Sequence, residues 1–317
     1  MTIVRPDRAH PGRTAAGTRR DTSAGPSEQT GGMTTFTSVT VLGAGVLGTQ
    51  IALQTARHDV PVVVYDISDD AVAAGRERLS GIVEQYLGDV GEGERPAAEA
   101  AVARITFATD LAEAVAGAGL VVEAVPERLD LKREVYARLA EVAPADTVFA
   151  TNSSTLLPSA IADATGRPDR FLALHFANHV WRQNTAEVMG TEQTDPAVFD
   201  RVATFAEEIG MVPIRLRKEQ PGYVLNSLLV PLLDAAAGLV LRGVADPETV
   251  DTTWRIGTGA PLGPFQIYDV IGLRTAYAVA SASPEPGAQA WAEHLRTEYL
   301  EQGRFGVESG EGFYRYR

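Results

Sequence analysis

Cysteine is absent from all 317 residues, so neither disulfides nor thiolate chemistry is implied. The first 34 residues also lack the apolar core of a secretory signal, which leaves a cytoplasmic location as the default expectation. No apolar run approaches the ~20 residues that cross a bilayer, and no membrane partner is expected. Positive charge is scarce: 28 Lys and Arg stand against 41 Asp and Glu, a net charge of −13. That balance argues against a nucleic-acid or acidic-membrane partner, which would want a basic face, and reads mainly as solubility. What remains is ordinary globular material, 45% hydrophobic and 22% charged, enough for one large or two modest domains with a sizeable core.

Residues 1–34 are rich in Arg, Thr, Ser, Gly and Pro and show almost no hydrophobic periodicity. Such a segment buries too little apolar surface to offset its ordering, and the expectation is disorder. Met33 lies just before the first predicted strand, which makes an upstream start the plain explanation of the tail. A transit peptide fits less well, because Asp7, Asp21 and Glu28 are acids in a class of segment that is poor in them.

The most informative stretch runs from a predicted strand, Ser38–Leu42, through Gly43-Ala44-Gly45-Val46-Leu47-Gly48 into a predicted helix at Thr49–Arg57. Gly43 can turn tightly off the strand, Gly45 has no Cβ to hold the backbone away from a pyrophosphate, and Gly48 lets the helix lie close on the sheet. The helix N-terminus then offers unpaired N–H groups to phosphates. A second strand, 61–65, ends in Asp66, near the ~20-residue offset at which an acid meets an adenosine ribose. Asp66 would repel a 2′-phosphate and no arginine follows at 67–70, so the pattern favours NAD over NADP.

From residue 37 to about 217, strand and helix patterns alternate. Strands are expected at 105–108, 118–124, 147–151, 171–176, 187–189 and 212–216, and helices at 110–116, 129–142, 158–164 and 196–209. The segment after Asp66 reads as a helix to about Leu87, a bend at 88–96 and a second helix to Ala103. This is an α/β fold, a doubly wound sheet with right-handed crossovers. Beyond Pro221-Gly222 only helical patterns follow, at 223–242, 247–256, 263–281 and 287–301. The expected organisation is a tail over 1–34, a nucleotide-binding domain over 35–219 and an all-helical domain over 220–317.

Ligands of open α/β sheets sit at the carboxyl ends of the strands. Those ends carry Glu123 and Glu127, the run Asn152-Ser153-Ser154-Thr155, and His175. Taken singly, each has a structural reading: a first-turn charge, a turn with an N-cap, a satisfied core histidine. Their convergence beside a nicotinamide site reads as a catalytic crevice.

The segments G-A-G-V-L-G at 43–48, V-E-A-V-P-E at 122–127, T-N-S-S-T-L at 151–156, L-H-F at 174–176, A-E-V at 186–188, P-G-Y-V-L-N at 221–226, G-P-F at 263–265 and G-V-E-S-G-E-G-F-Y at 306–314 together resemble the L-3-hydroxyacyl-CoA dehydrogenase family over about residues 37–317. The resemblance implies a Rossmann-type NAD-binding domain, a helical domain that forms a homodimer, and oxidation of an L-3-hydroxyacyl thioester to its 3-keto form. The substrate would be an acyl-CoA or another acyl thioester. The family's catalytic histidine and the glutamate twelve residues after it fall on His175 and Glu187. Its substrate-contacting serine falls on Ser154, and the asparagine at the start of its helical domain on Asn226. Glu127 and Lys132 match positions near the nicotinamide end. Gly43, Gly45, Val46, Leu47, Gly48, Asp66 and Asn152 make up the rest of the expected NAD contacts, and no metal is expected.

The chemistry is consistent with those positions. A secondary alcohol loses its O–H proton as hydride leaves carbon, which calls for a base such as histidine, and a carboxylate on the second ring nitrogen fixes its tautomer. Ser154 and Asn226 would hold the hydroxyl and the developing carbonyl. The remaining histidines, His10, His58, His179 and His294, have no such company and read as surface residues.

Two features depart from the family pattern. Where the family has a second Phe and then Asn-Pro after its His-Phe, this chain has Ala177-Asn178-His179 and then Trp181-Arg182. These residues would either shorten or polarise the acyl pocket or merely pack the loop. The segment 68–104, which the family turns toward the CoA nucleotide, carries Arg76, Arg78, Arg95 and Arg104 but no lysine, which weakens the expectation of a CoA phosphate site. Alternatives are a related dehydrogenase of a polar alcohol of the L-gulonate type, or one acting on an acyl-carrier-protein thioester. A 6-phosphogluconate-like enzyme would need a lysine where Gly222 stands, and a catalytically silent protein would lack His175 or Glu187.

Overall fold

In a computed structural model of the chain, residues 35–316 are described; the expectation of disorder for 1–34 lies outside them. Eight strands, β1 (Val39–Leu42), β2 (Val62–Tyr65), β3 (Ile105–Ala108), β4 (Leu120–Glu123), β5 (Val148–Thr151), β6 (Phe171–Phe176), β7 (Thr185–Gly190) and β8 (Val212–Arg215), form one sheet in the order β3-β2-β1-β4-β5-β6-β7-β8. Strands β1 to β6 are parallel; β7 runs antiparallel to β6 and parallel to β8. The antiparallel turn was not visible in the alternation. The β6–β7 connection, residues 177–184, carries no helix, and so short a link can only reverse the chain.

Helices α1 (Val46–Ala56), α2 (Asp69–Val90), α3 (Arg95–Val102), α4 (Leu111–Val115), α5 (Leu129–Val142), α6 (Ser159–Ala162) and α7 (Pro196–Glu208) cover both faces. Val39 and Val41 belong to a core with Ile51, Leu79 and Tyr86 on one side, while Leu42 joins Leu111, Tyr136 and Phe149 on the other. Burial on both faces is why the strands read as continuous apolar runs rather than alternating ones.

Five helices follow: α8 (Tyr223–Leu241), α9 (Pro247–Thr258), α10 (Pro264–Ile271), α11 (Leu273–Ala282) and α12 (Pro286–Glu298). The single helix expected at 263–281 is two, broken at Gly272, whose φ of +91° puts it where side-chain-bearing residues seldom go. Leu233, Phe265, Tyr268, Trp291 and Leu295 form this part's core. The motif at 306–314 closes it: Asp269, buried, accepts the N–H groups of Phe313 and Tyr314 and the hydroxyl of Tyr316, and a Cβ on Gly312 would overlap its carboxylate.

One expectation needs correcting. Helix α8 is 19 residues long, with Asp234 its only charge and only 17% of its apolar window buried, so a helix of length and composition sufficient to span a bilayer is present. The helix falls on the expected 223–242 span, and the interruptions at Asn226, Ser227 and Asp234 are what kept it from reading as a single apolar run.

Candidate active site

Parallel pairing puts the ends of β4 and β5 side by side, Glu123 opposite Thr151, and sets Thr151 opposite Ala173, two residues before His175 on β6. The glycine loop leaves β1 at the point where chain order reverses across the sheet, between β2 and β4. Gly43 has φ +103°, and a Cβ there would lie 2.7 Å from the Ala124 carbonyl oxygen. A Cβ on Gly48 would overlap the carbonyl oxygen of Gly43, whereas one on Gly45 would meet nothing within 4 Å. The turn and the close helix approach therefore demand glycine for internal reasons, while at Gly45 the space is left open. Gly45 caps α1 without a side-chain hydrogen bond, so the first-turn N–H groups stay available to a diphosphate. Asp66 accepts the N–H groups of Ala44 and Ile67, both at 2.8 Å, which ties the end of β2 to the loop. An open Gly45, free N–H groups and an acid at the end of β2 fit a dinucleotide.

A cavity of about 310 Å³ lies beside the loop, lined by Leu47, Ala124, Val125, Glu127, Lys132, Asn152 and Ser154. Under it runs a buried polar network. The Lys132 ammonium sits 2.5 Å from Glu123 and 3.3 Å from Glu127, and Lys132 and Glu123 are 1% and 0% exposed. Glu123 also accepts from Thr151 Oγ1, and Glu127 accepts from Ser153 Oγ and from the N–H and Oγ1 of Thr155. Burial pushes the Glu127 carboxyl up, but these hydroxyl and N–H donors with Lys132 outweigh it and hold it below the usual carboxylate range. Asn152 Oδ1 takes the Phe176 N–H at 2.9 Å, bracing β5 against β6 at the cavity wall.

His175 and Glu187 are direct cross-strand partners on β6 and β7. The Nδ1···Oε2 distance is 3.0 Å, and both side chains are buried. On its other side His175 Nε2 lies 3.0 Å from Ser154 Oγ, which reaches the cavity. Glu187 Oε1 accepts the N–H groups of Val224 and Leu225, each at 2.9 Å, in the first turn of α8. Burial raises the Glu187 carboxyl, but His175 and these two N–H groups more than reverse it, so the group is held ionised. Asn226 stands in the same turn, half-buried, with no hydrogen bond from its side chain to the rest of the described chain.

Tyr223 belongs to this constellation and escaped the sequence reading, while Glu123 and Ser153 were named at the strand ends without a role of their own. Each lies inside a motif already singled out, but its partner comes from a distant element. Trp181 and Arg182 turn away from the cavity lining: the indole N–H and the guanidinium both bind Asp89 of α2 at 2.9 Å, and the indole packs edge-on against Tyr86. The loop-packing reading is the one the geometry favours. His179, at φ +60°, stacks on Trp181 and approaches Gln85, while His58 and His294 are half-buried and outside the crevice.

The glycine loop, the acid at the end of β2 and the Ser154–His175–Glu187 relay define an NAD-dependent oxidoreductase of the doubly wound class. The family models described as "3-hydroxyacyl-CoA dehydrogenase, NAD binding domain" and "3-hydroxyacyl-CoA dehydrogenase, C-terminal domain" match residues 38–220 and 222–316. The chain belongs to the 3-hydroxyacyl-CoA dehydrogenase family. It is similar to human mitochondrial hydroxyacyl-coenzyme A dehydrogenase, 34% identical over 286 residues that cover 88% of this chain and 91% of the relative. Among solved structures it is similar to a diketoreductase described as acting on dicarbonyl compounds, at 59% identity and TM-score 0.86, covering 90% of this chain and all of the other. It is also similar to (S)-3-hydroxybutyryl-CoA dehydrogenase PaaH1 from Ralstonia eutropha, at 29% identity and TM-score 0.74, with 89% and 99% covered.

Proposed function

We propose that the chain oxidises a short L-3-hydroxyacyl thioester, with CoA as carrier, to the 3-ketoacyl thioester. The observation that carries this reading is the continuous relay from Ser154 through His175 to Glu187, with steps of 3.0 and 3.0 Å, beside the cavity behind the glycine loop. The substrate hydroxyl binds between Ser154 Oγ and His175 Nε2, and Nε2 takes its proton as the alcohol is oxidised. Bound NAD supplies the hydride acceptor. Glu187 keeps the Nδ1 proton in place and stabilises the imidazolium that forms. Asn226, whose side chain makes no hydrogen bond among the described residues, donates to the developing 3-keto oxygen, and Glu127 with Lys132 holds the nicotinamide end of the cofactor.

In this reading residues 35–219 bind the cofactor and 220–317 complete the substrate site. The exposed apolar residues Leu225 and Leu228 of α8 and Ile256 of α9 are covered by a second copy of the chain, giving a homodimer. The enzyme works in the cytoplasm.

A specific observation favours a second reading, a compact 3-hydroxy or 1,3-dicarbonyl compound without a CoA carrier. All four arginines of the 68–104 segment are engaged internally: Arg95 with Glu84 and Glu92, Arg104 with Asp59, Arg78 with the Ala44 carbonyl, and Arg76 over the Phe107 ring. Three of the four thus hold a carboxylate or a carbonyl oxygen, leaving Arg76 alone among them exposed without a hydrogen-bond acceptor among the described residues, and the similarity to the diketoreductase points the same way. Steady-state NADH formation and consumption across 3-hydroxyacyl-CoAs, their N-acetylcysteamine analogues and 3,5-diketo esters separates the two. Higher kcat/KM with CoA thioesters supports the first reading, and preference for carrier-free substrates supports the second.

A further inference from the structure

Tyr223 opens α8 with φ +54°, one of three non-glycine residues at positive φ among those described, and follows Gly222 at φ +76°. Left-handed backbone is unfavourable for a bulky aromatic residue and persists where the surroundings over-determine it. Tyr223 is nonetheless 1% exposed. Its ring lies on the His175 imidazole with centroids 4.5 Å apart and planes 14° from parallel. Its hydroxyl donates to the Ser153 carbonyl oxygen at 2.7 Å. The next two N–H groups are those that hold Glu187. One turn of backbone thus touches the imidazole, its carboxylate and the segment that carries Ser154.

We propose that Tyr223 is a positioning residue for the reaction, its ring fixing the plane of the His175 imidazole and its hydroxyl setting the Ser153–Ser154 turn. The proposal rests on the role given to His175 above. Bonds at Nδ1 and Nε2 leave the imidazole free to rock about the line joining them, which tilts the Nε2 lone pair off the substrate hydroxyl. A flat ring at stacking distance removes that freedom, and its π face also favours the imidazolium formed during turnover.

The test compares Tyr223→Phe, which keeps the ring, with Tyr223→Asn, which removes it but tolerates left-handed backbone. Each is assayed for kcat, KM, NADH binding and the downfield proton NMR signal of the His175–Glu187 hydrogen bond. Tyr223→Phe should lose about tenfold in kcat from one missing hydrogen bond and retain the signal. Tyr223→Asn should lose about 10²-fold in kcat and lose the signal, with NADH affinity and KM unchanged. Should the Asn variant fail to fold, Tyr223→Met carries the same expectation, because its flexible side chain fills the space without a planar face. The proposal is overturned if the ring-deleted variant stays within tenfold of wild type, falls no further than the Phe variant, or loses kcat with the signal intact. Full activity in Tyr223→Asn beside an inactive His175→Ala would sink the proposal alone, whereas an active His175→Ala would sink the reading beneath it.

Discussion

His175 and Glu187 face each other across the only antiparallel pairing in the sheet among the described residues, with Nδ1 and Oε2 3.0 Å apart. The reversal at residues 177–184 is what allows two side chains twelve positions apart in sequence to become direct neighbours. Adding two N–H groups from α8 makes Glu187 an ionised anchor shared by both parts of the chain.

Replacing Glu187 by Gln keeps an oxygen for Val224 and Leu225 but turns an amide donor toward Nδ1. The imidazole proton then moves to Nε2, where a base is needed. We expect kcat for alcohol oxidation to fall about 10²–10⁴-fold with NADH affinity unchanged, as read by steady-state kinetics and fluorescence titration. Turnover near wild type would show that the carboxylate is not needed for the tautomer.

The same carboxylate gives a pH signature. Its folded value lies below the unfolded value of about 4.3, so its stabilisation is complete above that pH and is lost as pH falls through the folded value. Chemical denaturation of wild type and Glu187→Gln should therefore show a stability gap that narrows as pH falls below about 4. A gap that stays constant or widens between about pH 4 and pH 2 would contradict the assignment.

The glycine loop separates internal from external demands on glycine. Gly48→Ala, forced against the Gly43 carbonyl, should destabilise the fold itself, while Gly45→Ala, with nothing within 4 Å, should melt like wild type. Gly45→Ala should instead weaken NADH by about tenfold or more, because its methyl occupies the space left for the diphosphate. Equal NADH affinity in Gly45→Ala and wild type would place the cofactor elsewhere.

Lys132→Met strands the Glu123 carboxylate in the interior. Losing one partner of a buried pair typically costs about 3–5 kcal/mol, and the double variant with Glu123→Gln should recover part of it. Denaturant unfolding measures both, and additive losses in the double variant would mean that the two groups are not coupled.

Much of this architecture was legible in the sequence. Helix α5 and strands β3 and β6 fall on their expected bounds because periodicity and apolar runs there are uninterrupted. The glycine loop and the His175–Glu187 spacing were legible because turn chemistry and motif order are local. The direction of β7 and the break at Gly272 were not, since an apolar pattern carries no strand direction and a lone glycine inside a helical pattern does not show its φ. Tyr223 and Glu123 were quoted within motifs yet unassigned, because a stacking partner and a buried counter-ion are properties of three-dimensional neighbours.

The measurement that bears most directly on the account is NAD-dependent oxidation of L-3-hydroxybutyryl-CoA by wild type and His175→Ala, with NADH affinity measured alongside. The account predicts turnover by wild type, a kcat about 10²–10⁴-fold lower in His175→Ala, and the same NADH dissociation constant in both. Turnover by His175→Ala close to wild type would contradict it and assign the proton to another group.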